Sequence, residues 1–462
     1  MAWPKRIETQ GEVMKTNNLG VLIVSGALCV AAMGATVWGQ KSDENWGQWR
    51  GPHNNGTSLT ATPPVTWSES KNIKWKVPIE GRGLSTPIIW GNRIFLLTTI
   101  DTGIKNPDIP DPEDQPKTNF FDIKRPNTKH DFVVICLDRA TGQEVWRRTA
   151  VSKIPHEGAH QDNNFASASP LTDGKRLYCW FGSAGLFCFD MEGRLLWERD
   201  LGEVRVGSSL GEGGSPALFE DHLVIVRDHQ GESRIEVLDT QSGQTTWSAK
   251  RDEGNAWATP LVTRVGESIQ VITAASNSIR SYDLGSGELI WECQGLTGNV
   301  IPCPVRYRDT VICMSGYQGF SAMAISLLKK GDLSESNSIL WKQDRATPYI
   351  PSPVLSQNQL FYNRSNQSII SCINAESGET VWGPERIDEL KNIYASPIAT
   401  QDHVFYTDRE GTTVVFATGL ERRQIAVNRL DDRFDASPAV AGRQLFMRGA
   451  RSLYCIEEDE VR

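Results

Sequence analysis

Three groups of residues carry types that could do chemistry. His156-Glu157-Gly158-Ala159-His160 matches HExxH, in which two imidazoles one helical turn apart hold zinc and the glutamate acts as base. That chemistry needs a helix. Pro155 precedes the motif, Gly158 interrupts it, and an apolar strand-like run follows Ser169. The spacing therefore predicts a loop, crowded with His156, Glu157, His160, Gln161, Asp162, Asn163 and Asn164. Such a loop could touch a small ion or a polar ligand. A metal hydrolase acting through His156 and His160 would in addition need stoichiometric zinc. Gly211–Ser215 reads GEGGS, a phosphate-cradling composition. It lacks GxxxxGK and leads into a strand, so no helix N-terminus meets an anion and a tight loop is the better reading. There is no GxSxG elbow.

The third group is the cysteines. Of 9, Cys29 falls in an apolar leader, leaving Cys136, Cys179, Cys188, Cys293, Cys303, Cys313, Cys372 and Cys455. None are adjacent and none form CxxC, so zinc-ribbon and thioredoxin-like chemistry find no support. Most sit in runs such as VVICLD and LFCFD, where a free thiol serves as a small hydrophobe. Cys179 and Cys188 are symmetric about Gly182-Ser183-Ala184-Gly185. A hairpin could bring that pair face to face, although direct cross-strand bridges are strained.

The whole chain bounds what these groups can mean. Of 462 residues, 39% are hydrophobic and 23% charged, enough for a packed core. The net charge of −8 leaves no basic footprint, which argues against a nucleic-acid partner. Leu19–Val37 is a long apolar stretch rich in Gly, Ala and Ser, with Lys15 just before it. That is a secretory signal pattern, with cleavage expected before Gln40 and Met14 as the natural start. The alternative is an uncleaved anchor of marginal length. Cleavage is the preferred reading. It makes 1–39 a leader, leaves no transmembrane span, raises the charge to −8 − (+3 − 2) = −9, and places the protein in the periplasm or outside the cell.

The elements that must position any site come from a repeat. A Ser/Thr-Pro step, or a close variant, precedes a short apolar run at Pro87, Pro170, Pro216, Pro260, Pro304, Pro353, Pro397 and Pro438. The spacings are 83, 46, 44, 44, 49, 44 and 41 residues, the first lengthened by an insertion at 101–130. Periods of this size mark solenoids or propellers. Each period reads as four short β-branched strands punctuated by Gly and Asn, with no competing helical pattern. Its last corner repeats: LDRATGQEVW to Trp146, FDMEGRLLW to Trp197, LDTQSGQTTW to Trp247, YDLGSGELIW to Trp291 and INAESGETVW to Trp382. A longer version ends at Trp341, and FATGLERRQIAV keeps Gly419 without a Trp. Glycine allows the turn, Asp caps it, and Trp can pack between neighbouring blades with its N–H on a backbone carbonyl. The final repeat holds three strands, and NIKWKVPI (72–79), with Trp75, supplies the fourth. The expected fold is all-β: an eight-bladed propeller of four-stranded antiparallel blades over 67–457, closed by an N-terminal strand. Residues 40–66 form an extension before it and 458–462 a tail.

The D-x-x-TG-x-x-x-W corner resembles the pyrroloquinoline-quinone (PQQ) repeat, and the resemblance covers most of the chain. WGQWRGPHNNGTS (Trp46–Ser58) is similar to a segment that precedes such propellers in many secreted bacterial proteins. The family includes quinoprotein dehydrogenases that bind PQQ and Ca²⁺, and propellers of outer-membrane assembly machinery that bind protein without chemistry. The dehydrogenases stack PQQ on a vicinal disulfide or carry a c-type haem nearby. This sequence has neither Cys-Cys nor CxxCH, and no matching run of calcium ligands. No catalytic residue transfers, and neither a cofactor nor a metal is expected.

The propeller architecture places a site at the channel mouth. Residues just before each proline form a ring: Arg82, Asn164, Glu212, Trp257, Asn299, Tyr349, Tyr394 and Asp435. The loops Asp228-His229-Gln230, Tyr317-Gln318, Asn363-Arg364 and Asp408-Arg409-Glu410 open on the same face. This is either a ligand or peptide site or a merely wet funnel mouth. The 101–130 insertion lies on that face and is either a lid anchored by Phe120 and Phe121 or a disordered loop. The expected function is a non-catalytic binding or scaffold module that presents this face to a protein or carbohydrate-like partner. The alternative is a PQQ- and Ca²⁺-dependent oxidoreductase of alcohols or sugars.

Overall fold

The corner that ends each repeat folds by one local rule. Asp138 Oδ1 accepts the N–H groups of Ala140 and Thr141, and Asp283 Oδ1 accepts those of Gly285 and Ser286. Asn374 does the same for Glu376 and Ser377. These are side-chain turns that bend the backbone without help from the rest of the fold. The glycine that follows is left-handed, with φ +73° at Gly142 and +74° at Gly378. Its missing side chain has a second use. A Cβ on Gly142 would stand 2.8 Å from the Trp75 ring, and one on Gly378 would stand 2.7 Å from Trp341. Gly193, Gly243 and Gly287 cover Trp146, Trp197 and Trp247 in the same way. Each indole N–H then donates to the carbonyl of the residue after the capping Asp or Asn. Trp75 reaches Arg139 at 3.0 Å, Trp146 Met191 at 3.1 Å, Trp197 Thr240 at 3.1 Å, Trp247 Leu284 at 2.7 Å and Trp341 Ala375 at 3.1 Å.

These corners hold together a ring of eight antiparallel sheets. It is a computed structural model, which describes residues 44–117 and 120–458. The expected signal and its cleavage site lie outside the described residues. Blades 1 to 7 span 88–153, 171–199, 217–250, 261–293, 305–343, 354–386 and 398–429. Blade 8 takes three strands from 439–456 and its fourth, Ile73–Pro78, from the other end of the chain. That strand pairs antiparallel with Ser452–Ile456, placing Trp75 opposite Cys455. The fold is the expected all-β eight-bladed propeller. Among the described residues no helix is long and apolar enough to cross a membrane.

Two blades depart from the rule, both where the sequence does. Blade 5 replaces the tight corner with a longer stretch. Its Gly331–Asp332 pairs in parallel with the outer strand of blade 4, which becomes part of a five-stranded sheet. Trp291 of blade 4, fully buried, turns its N–H to Gln270 Oε1 at 3.2 Å. Blade 7 keeps Gly419, but nothing approaches within 4 Å of a Cβ there. Trp382 of blade 6 is therefore left with a buried N–H that has no hydrogen-bond partner.

The channel end of each blade is tied to the next by the residue before its proline. Thr86 N–H donates to Ser169 Oγ, Ser169 to Ser215, and Ser215 to Thr259. Thr259 N–H meets Cys303 Sγ, Cys303 donates to Ser352, Ser352 to Ser396, and Ser396 to Ser437. Thr86 Oγ1 closes the circle on the Ser437 carbonyl at 3.0 Å. The Ser/Thr preference in the repeat is thus a requirement for a small acceptor, which Cys303 also meets.

The cysteines follow the free-thiol reading. All eight described are buried and unbridged. Cys179 faces Phe187 in the register and Cys188 faces Tyr178, so the two sulfurs do not oppose each other across the hairpin. The symmetry seen in sequence fails because Phe181 N–H bonds the Gly185 carbonyl, which shifts the pairing by one residue.

Candidate functional site

The extension before the first blade builds the floor of the site. Trp46 forms a bridge with Ile89 of blade 1, and Ser58 N–H donates to Ala399 of blade 7. Between them Arg50, only 3% exposed, donates to the Pro397 carbonyl at 2.8 Å and the Pro353 carbonyl at 2.6 Å. Burial lowers its pKa to about 10. The segment thus enters the channel, and neighbouring Trp49 lines the cavity at the mouth.

That cavity measures about 430 Å³. Trp257, Tyr317, Tyr349 and Tyr394 line it together with the amides of Asn163, Asn299 and Asn366. Tyr317 and Tyr349 stack at 5.1 Å and 28°. Trp257 is held by its N–H on the Gly211 carbonyl at 2.8 Å, which gives the GEGGS loop a structural use. Phe121 reaches in from the insertion and meets His160 edge-on at 5.4 Å. The insertion itself is partly strand, since Arg93–Lys105 and Thr128–Asp138 run into it from both sides. Phe120 stays 82% exposed, its ring edge-on to Phe121 at 5.1 Å.

One side of the mouth is an ion-pair cluster. Asp162, from the loop before blade 2, lies 2.8 Å from Arg409 of blade 7 and 3.2 Å from Arg433. Asp435 accepts from the same two guanidiniums at 2.6 and 2.8 Å. Arg409 also lies 3.6 Å over the Tyr394 ring, whose hydroxyl donates to Asp162 at 3.2 Å. Burial alone would raise the Asp162 pKa, but the Arg409 hydrogen bond and charge outweigh it and hold the carboxyl below its usual range. Burial and the Asp162 charge push the Tyr394 phenol up. With its charges neutralised in pairs, the cavity offers aromatic faces and amide hydrogen bonds. These are the means of binding an apolar or planar group.

Five of the eight ring residues come together here: Trp257, Asn299, Tyr349, Tyr394 and Asp435. Three do not line this cavity. Asn164 and Glu212 line a second cavity between blades 1, 2 and 3, and Arg82 an open groove beside the insertion. The other mouth loops divide likewise. Tyr317 and Arg409 belong to the site, whereas Asp228 is buried against Arg251 and Asn363 is buried on its own loop. Trp49, Asn366 and Arg433 were not foreseen, and Asp162 only as part of a polar loop. Trp49 has no periodic signal, Asp162 and Asn366 lie away from the residues just before a proline, and Arg433 shares its five-residue offset with Arg82 and Asn299, so offset alone does not mark it.

The residues present do not fit PQQ with Ca²⁺. The two carboxylates of the mouth face guanidiniums, so a calcium ion there would meet like charge. Among the described residues no group of three His, Cys, Asp or Glu side chains is placed to hold a metal. The HExxH segment has no helix, and its histidines serve different cavities, His156 the second and His160 the first.

A family model described as outer membrane protein assembly factor BamB matches residues 130–384. The protein of that name from Bordetella pertussis (strain Tohama I) is 22% identical over 290 residues. The match covers 60% of this chain and 65% of that protein, slightly less than two thirds of the relative's length. Among solved structures, quinohemoprotein alcohol dehydrogenase from Comamonas testosteroni superposes with a TM-score of 0.59 and 11% identity, over 91% of this chain and 81% of the other. A europium-containing methanol dehydrogenase gives 0.56 and 10%, over 89% and 92%. At these identities the dehydrogenases share the fold and lend no chemistry.

Proposed function

We propose a function from the premise that this chain belongs to the family of outer membrane protein assembly factor BamB: it is a non-catalytic binding module of the cell envelope. Its channel mouth holds a protein partner of the assembly machinery or a client chain. One observation carries this reading: the mouth is a floored, aromatic-walled cavity whose charges are matched among themselves. An extended peptide can lay an aromatic or aliphatic side chain against Trp257, Tyr349 and Tyr394 while Asn299 and Asn366 meet its backbone. The Phe121 segment lies at the rim, where it would cover such a peptide.

The test is a strain lacking this protein. Wild type should restore the amount of outer-membrane β-barrel protein, and the Trp257→Ala/Tyr349→Ala double variant should fail although it accumulates normally. Equal restoration by both would remove the mouth from the function. Retention of wild type but not of the variant on an immobilised oligosaccharide column, with barrel protein restored equally by both, would move the reading to a carbohydrate ligand. Amino-terminal sequencing of the envelope form should begin at Gln40 if the protein is exported by signal cleavage.

A further inference from the structure

The second cavity, about 240 Å³ between blades 1, 2 and 3, holds two carboxylates with no direct Lys or Arg ion pair among the described residues, Arg205 and Arg227 acting on them only at longer range. Glu212 accepts the Ser183 N–H with both oxygens, at 3.2 and 3.0 Å. Glu157 accepts the Val206 N–H at 3.0 Å. Neither carboxylate has a Lys or Arg within ion-pair distance among the described residues, and the two feel each other's charge. Three other deeply placed carboxylates have guanidiniums: Asp228 has Arg251 at 2.7 Å, Glu253 has Arg280 at 2.6 Å and Asp435 has Arg409 at 2.6 Å. Asp408 also has none, but it accepts the three N–H groups of Lys391, Glu410 and Thr412. A second, independent group is also unsatisfied. His156 Nε2 lines the same cavity, fully buried and with no hydrogen-bond partner. It stands 3.9 Å from Glu157, too far for a hydrogen bond.

Four aromatic residues share the wall: Phe132, Phe165, Trp180 and Phe181. Ring faces and carboxylates together are what a flat organic cation requires, because the rings replace its hydration and the carboxylates its counterion. Asp200 and Glu203 add negative charge at the rim. Lys153, the one lysine there, is tied to the Ala184 carbonyl at 3.1 Å and lies 3.9 Å from Asp200. The cavity adjoins the channel mouth, with Ser167 and Gly213 lining both.

We propose that this cavity binds a guanidinium group, the side chain of an arginine on a polypeptide docked at the mouth, with Glu157 and Glu212 as its counterions. Only the source of the cation rests on the peptide-binding reading above; the site itself is tested without a partner. Burial raises both carboxyls to about 7, so part of each is protonated before the cation arrives. Docking the cation drives those protons to the buffer. Burial lowers the pKa of His156, which favours its neutral form.

The experiment is calorimetric titration of the whole protein with N-acetyl-arginine amide, and with its neutral isostere N-acetyl-citrulline amide. The expected result is one saturable site for the arginine probe and none for the citrulline probe. Affinity should fall roughly tenfold from pH 8 to pH 6 for each carboxyl that must ionise. Proton release should follow from titrations in buffers of different ionisation enthalpy. Glu157→Gln and Glu212→Gln should each weaken binding about tenfold or more, with an unchanged melting profile as the control for folding. Equal binding of the citrulline probe, or no saturable heat from the arginine probe at pH 8, would overturn the proposal. Both arms use wild type, so a variant that fails to fold leaves the decision intact. Loss of the arginine site with barrel assembly still dependent on Trp257 would sink this inference and spare the function proposed above.

Discussion

Trp341 and Trp382 are the same side chain at the same position of neighbouring blades, 9% and 8% exposed. They differ in one bond. Trp341 Nε1 donates to the Ala375 carbonyl at 3.1 Å, and Trp382 Nε1 donates to nothing. Replacing each by Phe removes similar ring area, so the packing losses largely cancel. At 341 the substitution also removes a hydrogen bond, a net loss of about 1 kcal/mol. At 382 it removes a buried donor that had no acceptor, a gain of about 1 kcal/mol or more. Trp341→Phe should therefore cost about 2 kcal/mol more than Trp382→Phe. Urea unfolding followed by far-ultraviolet circular dichroism gives both values from the midpoints, provided the slopes agree. Costs that match to within about 0.5 kcal/mol, or a larger cost at 382, would refute the claim that the corner carbonyl is what each indole is placed to reach.

Four further outcomes follow from the same geometry. Arg50→Met leaves the Pro353 and Pro397 carbonyls unpaired; it should destabilise by about 3 kcal/mol and expose 44–66 to limited proteolysis, with digestion as the readout. Asp162→Asn should speed amide hydrogen exchange over 155–164 and abolish its salt sensitivity, at a stability cost of only about 1 kcal/mol because Arg433 is 48% exposed. Glu157 and Glu212 have folded pKa values raised from 4.5 to about 7, so the fold retains protons that the unfolded chain has lost. Their contribution therefore declines as pH rises from about 4.5 to 7, and the double Gln variant should show a flatter urea midpoint over that window than wild type. Finally, wild type mixed with PQQ and Ca²⁺ should give no saturable absorbance change and no dye-linked oxidation of alcohols; one equivalent bound would restore the dehydrogenase reading.

The ring was legible because its determinants are local. Asp138 or Asn374 caps a turn, glycine opens it, and the Trp behind needs the space, so each blade writes its own corner into ten residues. The same locality marked the exceptions: the stretched corner of blade 5 and the altered corner of blade 7 at Gly419 are where Trp291 and Trp382 lose the common carbonyl. The site was legible only in part. Trp257, Tyr394 and Asp435 stand three residues before their proline and reach the mouth, as do Tyr349 at four and Asn299 at five. Arg82, also five before its proline, and Glu212, also four, do not, so the path of each loop decides; Glu212 follows a positive-φ glycine, Gly211. Trp49 was beyond a reading of repeats, since its place depends on Arg50 finding carbonyls more than 300 residues away.

The strand Ile73–Pro78 precedes every blade in the chain, yet its partner Ser452–Ile456 lies beyond all seven blades that follow. Until the two meet it is a β-strand without a sheet. The seven blades between can form in order, each within its own stretch of chain. The eighth is a long-range closure, slow by the measure of sequence separation. Until then Trp75 and the open edge of the last hairpin are sticky surfaces on a nearly finished molecule. A chain that folds this way must keep that strand apart from other strands until the ring closes.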